Sequence, residues 1–355
     1  MRKFFSVALI FSLIISAAGR SSAQSAGRKR GSNSTADVVK TARPSSAASS
    51  TTNGALVAML PASDLIAVVD AGRAFKELLP NLAGVSFAGL DKAVKSIQDF
   101  MLKTGLDQSK IQGAALSVSM EGPLGIPVIV IQGIDLEQKQ IEAAMKEFGS
   151  EFKTSDYKGK TVYNVVANVK PPSAGSFSLK TDDIALASLG QQRVALGDQK
   201  AVKQVIDIQS GAAKSGVSPV ISGALKETRA TALLRFALSL PENMRAELAN
   251  LGDLFKPVAA SKVIFGTIDV SSDLSISLDS TIRTSSQNDA TDLENGLKGL
   301  VGLGKDFLAG DPRAQLLDQV KIRSKINDVF LSINLSREIL DQLFKKETPA
   351  PADKE

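Results

Sequence analysis

The chain has 355 residues, enough for about two domains, and its 43% apolar and 22% charged residues suit a globular protein with a sizeable core. It contains no Cys and no His, which excludes disulfides, thiol nucleophiles, Cys or His metal sites and any Ser-His-Asp arrangement. The net charge of +5 sits at the start: residues 1–55 hold eight basic residues and a single acid, Asp37, while the rest is slightly acidic and does not favour nucleic acid.

Arg2 and Lys3 precede an apolar run from Phe4 to Ala18, followed by the small residues Ser21, Ser22 and Ala23. That order predicts a secretory signal at residues 1–23, cut after Ala23, and an exported protein, periplasmic or secreted. The run falls short of the ~20 residues of a membrane span, so cleavage leaves no transmembrane segment, whereas a retained signal would be an anchor. Residues 24–55 are rich in Ser, Ala, Thr, Gly and Asn, too polar to offset chain entropy, and read as a disordered linker.

Residues 56–212 read as a first α+β unit. Leu65 to Asp70 is a short apolar strand, Arg73 to Leu82 a helix, and Leu90, Val94, Ile97 and Met101 recur at helical spacing. Ile111 to Met120 alternates, and Ile126 begins a strand, helix and hairpin running to Val166, with Asp135 and Gln138 in a capping-box pattern. The hairpin turns near Tyr157-Lys158-Gly159. Two strands (Ile184 to Leu189, Arg193 to Leu196) then lead to a helix from Gln199, capped by Asp198.

Residues 210–220, rich in Gly, Ser and Ala, mark the boundary, and 213–347 form a second α+β unit before a frayed tail at 348–355. It opens with a strand, Leu233 to Leu240, and a helix begun by Pro241. Lys262 to Val270 and Asp273 to Arg283 follow as strands, the second with Ile276, Leu278 and Ile282 on one face and Ser277, Asp279, Thr281 and Arg283 on the other. A long helix covers about 289–308, Val320 to Leu335 forms an alternating hairpin, and Ser336 caps a last helix. Adjacent strands with one wet face argue for antiparallel sheets with helices packed on one face. The fold class is therefore α+β, two tandem units of mainly antiparallel sheet, and their shared order of elements points to internal duplication.

The segments LPASDLIAVVDAGRAFKELLP, IQDFMLKTGLDQSKIQGAALSV, YKGKTVYNV and RVALGDQKAVKQVID, in that order, resemble an uncharacterised family of bacterial exported proteins, one of the domain-of-unknown-function groups. The resemblance spans roughly Leu60 to Leu240. It implies export and a repeated α+β architecture, and no reaction.

Motifs for chemistry are thin. Gly299 to Lys305 (GLVGLGK) matches a phosphate-loop spacing, but Asp306 follows where Ser or Thr is needed, and the segment lies inside a helical pattern. Ser150 to Lys153 and Ser155 to Lys158 match the Ser-x-x-Lys of penicillin-interacting enzymes, yet fall in a hairpin, with the Lys103-Thr104-Gly105 piece in the wrong order. Asp182 with Asp183, or Glu121, could act as acid and base without His; a His-free hydrolase using such carboxylates is the alternative reading. No cofactor and no metal is implied. Lys321, Arg323 and Lys325, with Arg283 on the neighbouring wet face, make a basic stripe suited to an anionic glycan, peptide carboxylate or lipid headgroup, or to protecting a sheet edge. Tyr157 and Tyr163 are the candidates for aromatic stacking. The expected function is an exported, non-catalytic protein binding an envelope component or a protein partner, with no nucleic acid.

Overall fold

The computed structural model describes residues 53–78, 99, 101–120, 126–147, 151–166, 184–250, 252, 255–311 and 314–344. The expected signal, nearly all of the linker, the tail, Glu121, Asp182 and Asp183 lie outside the described residues.

The first half of the chain contains β1 (Leu65–Val69), β2 (Gly113–Ser119), β3 (Ile126–Gln132), α1 (Gln138–Glu147), β4 (Glu151–Tyr157), β5 (Lys160–Val166), β6 (Ile184–Gly190), β7 (Arg193–Asp198) and α2 (Gln199–Gln209). The second contains α3 (Pro219–Glu227), β8 (Leu234–Leu238), α4 (Glu242–Asn250), β9 (Val263–Val270), β10 (Ile276–Arg283), α5 (Gln287–Phe307), β11 (Val320–Lys325), β12 (Asp328–Leu335) and α6 (Arg337–Phe344). The fold is α+β on an antiparallel sheet. All twelve strands share one sheet, in the order β11-β12-β10-β9-β8-β1-β2-β3-β7-β6-β5-β4.

The strands before and after the 210–220 segment meet where β1 pairs with β8, Leu65 opposite Leu238 and Val69 opposite Leu234. β1 is thus an interior strand, paired on its other side with β2. Its run LIAVV is apolar on both faces because both are covered. On the front face, Ile66 and Val68 pack with Leu56 and Leu60 from the 53–60 segment and with Val205 of α2 and Ile221 of α3. On the back, Leu65 packs with Met244 and Leu248 of α4. Burying each such side chain contributes about 1.5–3 kcal/mol.

Single-sided helix packing therefore holds only for the outer strands of the second half. There α5 places Ala290 and Leu293 on the back, against Ile282 and Val329. Around β3 and β7 helices cover both faces, α2 in front and α1 behind, where Ile141 meets Tyr163 and Leu186. The physical reason lies in the strands: IPVIVI has no wet face to leave open, whereas ISLDSTIR has one.

Local signals account for most helix starts. Asp198 caps α2 by accepting from Lys200 N at 2.8 Å and Ala201 N at 3.1 Å. Ser286 caps α5 and Ser336 starts α6. The expected Asp135–Gln138 box is displaced: α1 begins at Gln138, and it is Gln140 Oε1 that accepts from Glu137 N at 3.1 Å. The phosphate-loop lookalike lies wholly within α5. No described helix is long and apolar enough to cross a membrane.

Because the β1–β8 ladder makes the two halves one sheet, urea unfolding is expected to show a single transition. Ile66→Ala, at a fully buried position, should lower stability by about 2–5 kcal/mol without splitting that transition. Two separated transitions, read by circular dichroism and by tyrosine fluorescence, would refute the coupling.

Candidate functional site

On the front face α3 packs on β9, where Val263 and Phe265 join Ile221 and Leu225 in the core; further out, no described helix lies over β10, β12 and β11. The ladders run Thr267 opposite Asp279, Asp279 opposite Ser332, and Ser332 opposite Lys321. One row further along, Phe265, Thr281, Phe330 and Arg323 are aligned in the same way. The result is an open groove of about 600 Å³, with the two phenylalanines in its floor. Glu227, Thr228 and Arg229 at the end of α3 form one wall, and Lys321 and Arg323 the other.

The sheet order explains the basic stripe. β11 is an edge strand, and Lys321, Arg323 and Lys325 are its exposed alternate residues, while Val320, Ile322 and Ser324 turn to the half-buried side under α5. Ser324 N donates to Glu294 Oε2 of α5 at 2.9 Å, and the Ser324 hydroxyl bonds the same carboxylate, so the edge strand is tied down from behind. In front, Lys321 and Lys325 make no ion pair among the described residues. The Arg323 guanidinium stacks over Phe330 at 5.2 Å from the ring centroid, which orients it while leaving its N–H donors for a ligand.

Arg283 is placed beside this stripe but is already engaged. Its Nε and Nη2 donate to the two Asp328 oxygens at 2.9 and 3.0 Å, and Nη1 and Nη2 donate to the two Glu227 oxygens at 2.9 and 2.8 Å. It also lies over Phe265, 5.2 Å from the centroid. The Glu227 and Asp328 hydrogen bonds hold the guanidinium pKa far above its ordinary value, and Arg283 in turn holds the Glu227 carboxyl below the usual range. Arg283 is thus a clamp joining α3 to β10 and β12, and the cations of the stripe with no ion pair among the described residues are Lys321, Arg323 and Lys325.

The two tyrosines are not part of this site. β4 and β11 are opposite edges of a twelve-stranded sheet, a separation on the order of 50 Å. Nor do the tyrosines share a face. Tyr163 is buried behind the sheet, its ring edge-on to Phe152 at 5.7 Å. Tyr157 is in front, its hydroxyl donating to Asp207 of α2 at 3.1 Å. Lys158 pairs with the same Asp207 at 2.6 Å and, together with the Tyr157 bond, depresses that carboxyl. This cluster fastens the hairpin tip to α2.

Glu227, Arg229, Phe330 and Lys262 escaped the sequence reading. α3 begins at the end of the 210–220 boundary segment and runs through residues that the sequence reading leaves unassigned before Leu233, although Ser218 before Pro219 is a start signal. Arg229 pairs with Asp269 at 3.1 Å, and Asp269 also takes Arg73 at 2.5 Å, which anchors the groove's inner end.

No family model matches the chain, and no curated protein does. Among solved structures, crystal forms III and I of TP0453 are similar at 7% identity, covering 81% of this chain and 96% and 95% of theirs, with TM-scores of 0.47 and 0.46. Crystal form IV of the same protein gives 0.43 over 82% of this chain.

Linkage sets the pH dependence of the clamp. A carboxyl whose pKa is lowered by folding contributes stability above its unfolded pKa and loses it as pH falls through the folded one. The wild-type protein should therefore lose stability from about pH 5 downward, and Glu227→Gln should lose less over the same window, as read from urea midpoints at successive pH values. Equal slopes for the two proteins would dismiss the clamp. At pH 7, Arg283→Lys should cost about 1–2 kcal/mol, because an ammonium cannot reproduce two forked pairs.

Proposed function

We propose that this is an exported, non-catalytic binding protein whose open front face takes an extended anionic ligand, either an envelope component or a segment of a protein partner. One observation carries the reading: Lys321 and Arg323 project from an edge strand onto an open, aromatic-floored groove, and Lys325 extends the same row beside it. Their alternate spacing along β11 is about 6.6 Å from one to the next, which matches a ligand with regularly repeated charge better than a compact ion. The acids nearby support binding over turnover. Glu227, Asp328 and Asp269 are each committed to an arginine and act as acceptors within the scaffold, while Asp279 lies exposed in the groove's row. Export rests on the charged, apolar and small-residue order of residues 1–23, and is tested by sequencing the mature amino terminus, expected at Gln24.

The binding test is charge reversal. Lys321→Glu with Arg323→Glu should reduce retention on anionic cell-wall material by at least ~10-fold and flatten its dependence on salt. Lys214→Glu, in the exposed segment before α3, is the control and should bind as the wild type does. If the double variant is retained as well as wild type, the cations only guard the sheet edge and the binding reading falls.

A further inference from the structure

Among the described residues, five that are not glycine have positive φ: Lys158, Gln191, Gln192, Leu274 and Ile326. Three are polar and form two-residue hairpin turns, where such angles are ordinary. Leu274, at φ 67°, is 4% exposed and packed with Leu340 of α6, so burial offsets its cost. Ile326 has no such compensation. It occupies the turn between β11 and β12 at φ 55° and is 67% exposed. A β-branched residue in the left-handed region is an outlier, and an apolar one held there in water costs the fold twice. Asn or Gly would serve that turn better.

One groove reaches this residue and a second adjoins the first. One, of about 440 Å³, is lined by Ile326, Phe330, Lys325, Lys262 and Arg283. The second, of about 460 Å³, shares Lys262 and Arg283 and runs to Val220 on α3, itself 51% exposed. With Arg283 saturated by Glu227 and Asp328, Lys262 and Lys325 are left without an ion pair among the described residues. The site therefore offers two unmatched ammonium groups between two exposed aliphatic side chains.

We propose that these grooves dock an extended segment of a partner protein in which carboxylates flank a bulky apolar side chain. The carboxylates would meet Lys262 and Lys325, and the apolar side chain would cover Ile326. An anionic glycan satisfies the lysines but gives Ile326 nothing to pack against, and so leaves its exposure and its strained backbone without a use. The inference rests on the binding reading above and adds the class of partner.

The test uses the full chain and two fluorescein-labelled decapeptides, one all glutamate and one of glutamates carrying two leucines, with binding followed by anisotropy. The leucine peptide should bind at least ~10-fold more tightly, the return on burying one such side chain. Ile326→Asn should bring it down to the all-glutamate level while raising Tm by about 2 °C, since Asn tolerates left-handed geometry. Lys262→Gln should weaken both peptides. Equal binding of the two peptides, or an Ile326→Asn protein that still prefers leucine, overturns the apolar contact; cell-wall retention that still depends on Lys321 and Arg323 would then leave the binding reading standing. A fall in Tm for Ile326→Asn would make Ile326 a fold residue and also overturn the proposal. Binding of neither peptide overturns it outright.

Discussion

The pairing of β1 with β8 is the contact on which the architecture depends. β1 supplies five residues with no wet face, and a strand of that kind is stable only with a partner on each edge and a layer on each side. β2 fills one edge. The other is filled from 170 residues further along, where Phe236 faces Ala67 across the ladder. Loop closure over such a distance is entropically costly, and the return is the joint front core, where side chains from both halves meet under α2 and α3.

Around that centre the two halves repeat one ladder. β1, β2 and β3 pair in succession and β3 then pairs β7; β8, β9 and β10 pair in succession and β10 then pairs β12. The counterpart of β11–β12 is β6–β7, and the β4–β5 hairpin extends the first half by two strands. A two-fold relation about the β1–β8 junction keeps front with front, so α1 and α5 both lie behind. The last helices break the relation. α2 follows β7 and packs in front, on Ala185, Ala187 and Ala195, whereas α6 follows β12 and packs behind, with Leu340 on Ile276 and Leu335. The open groove lies beyond α3, where an equivalent of α2 would have been, and its rows mix exposed polar residues with the two phenylalanines.

Most elements were legible because their signals are local. Asp198 and Ser336 cap where sequence alone places them, and the alternation of ISLDSTIR marks its wet face. The tyrosines show what counting register adds: with a two-residue turn at 158–159, Tyr163 faces Thr154, three residues from Tyr157, and an odd offset means opposite faces. What could not be read was long-range. Arg283 looks like a free cation in sequence because its acceptors lie 45 and 56 positions away, on elements whose approach follows only from the assembled sheet. α3 was missed for the opposite reason, since its small residues, among them Gly223 and Ala224, suit a linker as well as a helix lying close on a sheet.

The role of Arg283 changes how the cationic face should be understood. If it were free, the front face would carry a dense cluster of like charges, which repel and favour a loosely held counter-ion. With Arg283 matched against two carboxylates, that triad is itself slightly negative, and the remaining cations are spaced along β11 and at Lys262. Such an array has little self-repulsion to relieve, so a ligand gains from geometry more than from charge alone. The clamp also fixes the end of α3, and with it the wall carrying Arg229 and the helix carrying Val220. One guanidinium therefore joins the apolar packing of Ile221, Ala224 and Leu225 in holding α3 at the groove wall.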